Sequence, residues 1–137
     1  MSAGPPRDGT ASGSPFEEAI GFRRAVRVDD RVLVSGTAPI EPGGGCAERA
    51  EAQAERCLEI IIAALAGLGA TPEDVVRTRI YLVDPSDAEA VGRAHRRAFA
   101  GARPAATMVV VAALLDPRWR VEIEAEAVVS APEDTRH

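Results

Sequence analysis

The chain has 137 residues, of which 46% are hydrophobic and 27% charged, and its formal net charge is −5. This length predicts one domain that buries about two thirds of its unfolded surface. Because the chain is acidic and aromatic residues make up only 4%, nonspecific nucleic-acid binding, which needs basic surface and stacking platforms, is not expected. All 16 basic residues are arginines. No apolar run is long enough to span a membrane, and the first residues lack a secretory pattern, so we expect a cytoplasmic protein.

The N-terminal 17 residues are rich in Gly, Pro and Ser, which predicts a disordered arm over 1–17. The last residues, 131–137, predict a flexible tail, and residues 18–130 a single domain. Within that domain, residues 20–28 and 31–35 read as two strands joined by a polar turn. The Gly- and Pro-rich stretch that follows them predicts a loop.

A long amphipathic helix is predicted over residues 46–68, because apolar residues recur there at spacings of three and four. The stripe consists of Ala50, Ala54, Cys57, Leu58, Ile61 and Leu65. Cys46 and Cys57 would lie about 16 Å apart on this helix, too far for a disulfide, and we expect Cys57 in the core. The two histidines, His95 and His137, do not suggest a zinc site, and we expect no cofactor.

The second half of the chain predicts a strand at 75–83, a helix at 86–100, and strands at 105–113 and 120–130. The resulting order, ββαβαββ, indicates an α+β two-layer sandwich with a mixed sheet and two helices on one face. The strand at 105–113 is apolar on both faces, although the two helices cover one face only. A partner chain is therefore expected to cover part of this strand, because a bare apolar face would be a liability.

Five segments in this order resemble the RidA family, also called YjgF/YER057c/UK114 or L-PSP. They are residues 19–26 (AIGFRRAV), 32–39 (VLVSGTAP), 74–81 (DVVRTRIY), 103–108 (RPAATM) and 121–125 (VEIEA). The resemblance implies a chorismate-mutase-like subunit, a homotrimer, and small-molecule clefts between subunits. It also implies hydrolysis of enamine and imine intermediates to 2-keto acids and ammonia. Some members of the family have been described as ribonucleases or translation inhibitors.

The family's catalytic arginine, which holds the substrate carboxylate, corresponds to Ala106 in the segment Pro104-Ala105-Ala106-Thr107. A desolvated carboxylate needs a charged partner, so we expect standard 2-imino acid deamination to be weak here. Glu122 matches the family glutamate thought to orient the hydrolytic water. Cross-strand pairing with Arg77, Arg79 or Tyr81 would equally account for Glu122, Glu124 and Glu126.

Further candidate ligand-binding residues surround this position in the expected cleft. Phe22 would supply an aromatic wall, and Arg24 and Arg103 are candidate substitutes for the missing charge, although both are of a type usually exposed. Ser35, Gly36 and Thr37 would line the cleft edge or simply form a tight turn. The remaining candidate ligand-binding residues are Ala106, Thr107 and Met108. His95 is expected to be exposed and to have no role in the site.

Three functions follow from these features. The first is a small-molecule hydrolase acting on an imine, enamine or related reactive metabolite, with Glu122 as its catalytic residue. The alternative is a non-catalytic ligand-binding or regulatory trimer. An endoribonuclease or translation-inhibitor role fits the acidic chain least well.

Overall fold

The computed structural model describes residues 7–11 and 14–130. The elements in chain order are β1 (Arg7–Thr10), α1 (Pro15–Ile20), β2 (Ala25–Val28), β3 (Arg31–Thr37), α2 (Ala50–Gly67), β4 (Val75–Leu82), α3 (Ala88–Phe99), β5 (Ala105–Val110) and β6 (Val121–Val128). Short 3₁₀ helices at Pro72–Asp74 and Pro85–Asp87 precede β4 and α3.

One mixed sheet contains the six strands, in the order β1-β2-β3-β6-β4-β5. The β4–β5 pair is parallel and the other pairs are antiparallel. From β2 onward the elements follow the predicted order ββαβαββ, with α2 and α3 packed together over the sheet. The predicted α+β class is confirmed.

Within the arm expected to be disordered over residues 1–17, the structure corrects the expectation at residues 7–10 and 15–17, which are strand and helix. β1 pairs along its whole length with β2, and α1 begins at a Ser14 cap followed by Pro15. Gly21, at φ 92°, ends α1, so the next strand begins at Ala25 and not at residue 20. Backbone pairing holds β1, and pairing of this kind leaves no trace in composition. Residues 1–6 and 12–13, and the predicted tail at 131–137, lie outside the described residues.

The core lies between the sheet and α2. All six residues of the predicted stripe on α2 are buried, including Cys57. The helix begins at Ala50 and not at Cys46, and the buried Gln53 side chain links the loop before α2 to the loop before β6. Its Nε2 donates to the carbonyl oxygens of Ala47 and Arg118, at 2.7 and 2.9 Å. Both cysteines are free thiols.

The α3 helix corrects the expectation that His95 is exposed. His95 is half-buried and lies 2.8 Å from Thr78 Oγ1, the hydroxyl of a fully buried residue on β4. Its ring contacts that of Phe99 edge to face, with centroids 5.0 Å apart. Desolvation lowers the pKa of His95 below its usual value. His95 therefore joins the helix to the sheet.

The edge strand β5 is exposed along its whole length. It pairs with β4 alone in the described part of the chain, and Val110 remains 53% exposed. The apolar surface that suggested a partner chain is therefore uncovered in the single subunit. No helix among residues 7–11 and 14–130 has the length and hydropathy needed to cross a membrane.

Candidate ligand-binding cavity

A cavity of about 600 Å³ lies where the end of β3, α1, α2 and the start of β6 meet. Six of the predicted site residues line it: Phe22, Arg24, Ser35, Gly36, Thr37 and Glu122. This volume suits a small metabolite. The structure thus brings together residues from three of the five segments, 19–26, 32–39 and 121–125.

A bulge in β3 opens the wall of this cavity. The register between β3 and β6 shifts between Val34 and Thr37, so Ser35 and Gly36 leave the regular ladder. Gly36 faces the carboxyl group of Glu122 so closely that a Cβ at this position would lie 2.5 Å from Glu122 Oε2. Bulges re-aim side chains in this way beside functional sites. The missing side chain of Gly36 is what leaves space for Glu122.

The carboxyl group of Glu122 lies in a partly desolvated setting. Burial is the main influence on its pKa and raises it, the charge of Arg24 lowers it, and the charge of Glu124 raises it further. The net effect is a raised pKa, because removal from water penalises the charged form. A carboxyl group of this kind can hold a proton closer to neutral pH and exchange it with a bound molecule.

Arg24 is 5% exposed, which corrects the expectation of a surface arginine. Its Nη1 donates to Gly36 O at 2.6 Å and to Thr37 Oγ1 at 2.8 Å, and its Nε lies 3.6 Å from Glu17 Oε2. The guanidinium carbon lies 5.5 Å from the centre of the Phe22 ring. Burial lowers the pKa of Arg24, and the charges of Glu17 and Glu122 oppose that effect. Arg24 therefore stabilises the bulge in β3 and offsets the negative charge of the nearby carboxylates.

The neighbouring glutamates on β6 form the cross-strand network that the sequence suggested. Arg79 Nη1 lies 3.7 Å from an oxygen of both Glu124 and Glu126, and the Tyr81 hydroxyl donates to Glu124. Glu122 lies opposite Tyr81 in the register but lines the cavity. Of the three alternating glutamates of β6, Glu122 therefore belongs to the cavity, whereas Glu124 and Glu126 belong to the ion-pair network.

Four predicted site residues lie away from this cavity. Arg103, Ala106, Thr107 and Met108 do not line it in the described part of the chain. Arg103 has φ 49° and is exposed before β5, and the other three lie on β5 at the far edge of the sheet. Within one subunit, the predicted site is therefore divided between two regions.

Sequence reasoning missed several cavity residues. Phe16 and Trp119 form an edge-to-face pair with centroids 6.2 Å apart, and Glu41 and Arg56 add charges to the lining. Phe16 was hidden in the segment expected to be disordered, where the Ser-Pro start and Gly21 were the available helix signals. Arg56 lay outside the predicted apolar stripe of its helix, and its sequence context carried no sign of a ligand.

Comparisons with known proteins agree with this architecture. The family described as "Endoribonuclease L-PSP" matches residues 14–129. A mouse protein named 2-iminobutanoate/2-iminopropanoate deaminase is 37% identical over 118 residues, covering 80% of this chain and 83% of the mouse protein. An uncharacterized protein of Streptomyces coelicolor is 41% identical over 118 residues, covering 85% of this chain and 87% of the relative.

Among solved structures, a Mycobacterium tuberculosis protein of the YjgF/YER057c/UK114 family superposes with a TM-score of 0.83. It is 45% identical in sequence, and the match covers 90% of this chain and 100% of that one. The family match, the sequence relatives and the shared fold agree with the resemblance carried by the five motifs. The chain therefore belongs to the YjgF/YER057c/UK114 family, also called RidA or L-PSP.

Proposed function

We propose that this protein hydrolyses the C=N bond of an imine, or of the imine tautomer of an enamine, in the 600 Å³ cavity. The observation that carries the proposal is the carboxyl group of Glu122, which lines that cavity with a raised pKa beside Gly36. The deaminase named among the relatives supports the same reaction class.

The chemistry requires a proton carrier next to a water molecule and the imine carbon. The ionised Glu122 takes a proton from the water as its oxygen adds to that carbon. The protonated carboxyl group then gives the proton to nitrogen, which forms a carbinolamine. Glu122 next takes the hydroxyl proton of the carbinolamine and delivers it to nitrogen, so that the C=O bond forms, the C–N bond breaks, and a ketone and ammonia leave. Water is the sole co-reactant, so the step balances without a cofactor.

The predicted trimer would complete this site. The exposed β5 strand carries Ala106, Thr107 and Met108, and a neighbouring subunit would bring these residues to the cavity of the next one. Alanine at position 106 supplies no charge for a substrate carboxylate. We therefore propose that 2-imino acids are poor substrates and that another imine or enamine is preferred.

The test uses enamines made in place by a serine or threonine dehydratase, with release of the 2-keto acid measured above the spontaneous rate. We expect a modest acceleration by the wild-type protein and a loss of about 100-fold in kcat for Glu122→Gln, the usual scale for a general acid–base group. Glu126→Gln, on the same strand but in the ion-pair network, is the matched control. Equal turnover by wild type and Glu122→Gln would remove Glu122 from the mechanism.

A non-catalytic ligand-binding trimer is the second candidate, and Ala106 is the observation that favours it. A cavity that binds small molecules without accelerating imine hydrolysis would identify this function. An endoribonuclease role has less support, because the chain is acidic, with a net charge of −5.

A further inference from the structure

The lining of the cavity includes a second arginine, Arg56 of α2, whose position differs from that of Arg24. A smaller cavity of about 370 Å³ adjoins the first, and Arg24, Arg56 and Ile60 line both. Arg56 therefore stands at the junction of two cavities. Its side chain is 23% exposed, so it is sheltered but accessible.

The two arginines differ in how firmly their charges are engaged. Arg24 is buried and donates to Gly36 O and Thr37 Oγ1, so binding a ligand through it would disturb the bulge. Arg56 Nε donates to Ile40 O at 2.8 Å, and Nη1 donates to Glu59 Oε2 at 3.2 Å. Among the described residues, the hydrogen bonds of Arg56 use Nε and Nη1 and leave Nη2 for another acceptor.

The carboxylates around Arg56 are weakly held partners. The side chain of Glu59 is 65% exposed and that of Glu41, 3.8 Å away, is 46% exposed. Exposed ion pairs contribute little to stability, so a ligand can displace them at small cost. Among the described residues, the charged residues that line the smaller cavity are Arg24, Arg56 and Glu59. Because Arg24 is paired with Glu17, Arg56 is the cation of this set that is accessible to a ligand.

We propose that Arg56 binds an anionic group of the ligand, a carboxylate in the simplest case, at the junction of the two cavities. The ligand would then be a small organic acid whose apolar part lies against Phe22 and Trp119. This assignment rests on the proposed function, because it takes the larger cavity to be the ligand site. It places the ligand's anionic end at α2, whereas Ala106 lies on β5.

The test exploits Trp119, the one tryptophan of the chain, which lines the larger cavity and reports binding through its fluorescence. The probes are 4-oxopentanoate, whose carboxylate is separated from the carbonyl carbon by two methylene groups, unlike that of a 2-imino acid, and its neutral amide. We expect wild type to prefer the acid by about tenfold or more, the usual effect of a hydrogen bond to a charged group. Arg56→Gln should abolish this preference and Arg56→Lys should keep most of it.

Arg93→Gln is the matched control, because Arg93 is an exposed arginine paired with Glu51 and does not line either cavity. A second route, independent of the folding of Arg56→Gln, is the Glu41→Gln/Glu59→Gln double variant, which should tighten binding of the acid several-fold. A wild type without preference for the acid, an Arg56→Gln variant that keeps it, or a double variant with unchanged affinity would each overturn the assignment.

The binding measurements are independent of the turnover assay. Preference for the acid that depends on Arg56, together with no hydrolysis, would support this assignment and overturn the hydrolytic proposal alone. Hydrolysis that depends on Glu122, together with acid binding that does not depend on Arg56, would overturn this assignment alone.

Discussion

Gly36 and Glu122 meet in a contact that leaves no room for another carbon. A Cβ on Gly36 would lie 2.5 Å from Oε2 and 3.3 Å from Cδ of Glu122. We expect Gly36→Ala to displace the carboxyl group and lower kcat about 100-fold, because a shift near 1 Å has effects of that size in catalysis. Gly43→Ala is the control, since nothing lies within 4 Å of a Cβ there. Full turnover by Gly36→Ala, measured on the same enamine, would contradict this interpretation.

The raised pKa of Glu122 also predicts how stability depends on pH. The folded chain keeps a proton that the unfolded chain releases near the ordinary value of 4.5. The stabilising effect is fully present below 4.5 and is lost as the pH rises through the raised value in the folded state. The Tm of wild type should therefore fall relative to that of Glu122→Gln as pH rises through this window. Calorimetry showing the opposite trend, or a constant difference, would refute the raised pKa.

Single residues also show how far the sequence predicts the cavity. Phe22, Gly36 and Glu122 came from recognisable segments and lie together in the structure. Arg24 was misjudged because its burial depends on partners from elsewhere, above all Glu17 of α1. A buried ion pair between two elements is not visible in local patterns, which report propensity and periodicity alone.

Among the elements, β5 carries the strongest evidence for association. Met108 and Val110 are 38% and 53% exposed on a strand that pairs on one side. We expect Val110→Arg to dissociate the predicted trimer, because a desolvated, unpaired charge at an interface costs several kcal/mol. Native mass spectrometry should report three chains of 14.4 kDa for wild type and one for the variant. The same charge on exposed Ala66 of α2 is the control, and an intact Val110→Arg trimer would place the interface elsewhere.

The elements differ in how well the sequence predicts them. α2 followed from a regular apolar stripe, because every residue of that stripe packs into the core. β1 and α1 were missed because their order comes from long-range contacts, such as pairing of Thr10 with Ala25. Periodicity is a good guide where an element buries one face, and a poor guide where it is held by its edge.

For the whole molecule, the division of the predicted site between two regions has a direct test. Ala106→Arg should raise turnover of 2-imino acids about tenfold or more, because it restores a charged partner for the carboxylate. The arginine would reach the cavity of a neighbouring subunit, since Ala106 does not line the cavity of its own chain in the described residues. Keto-acid release from the threonine-derived enamine measures the gain, and no gain would mean that the pocket has diverged further.

Mixing subunits would show which chains share a site. The double variant Ala106→Arg/Glu122→Gln should be inactive by itself. Refolded together with wild type, it should confer turnover above that of wild type, because its arginine would then serve a neighbour's Glu122. A mixture no faster than wild type would place both residues in one chain's site.

The α1 helix has a consequence for how such proteins change their ligands. Glu17 pairs with Arg24, and Phe16 packs against Trp119, so part of the cavity wall comes from residues that precede β2. Residues in this wall contribute little to the core between α2 and the sheet. Replacing the residues that precede β2 is therefore an evolutionary route to a new specificity that leaves the hydrophobic core of the domain intact.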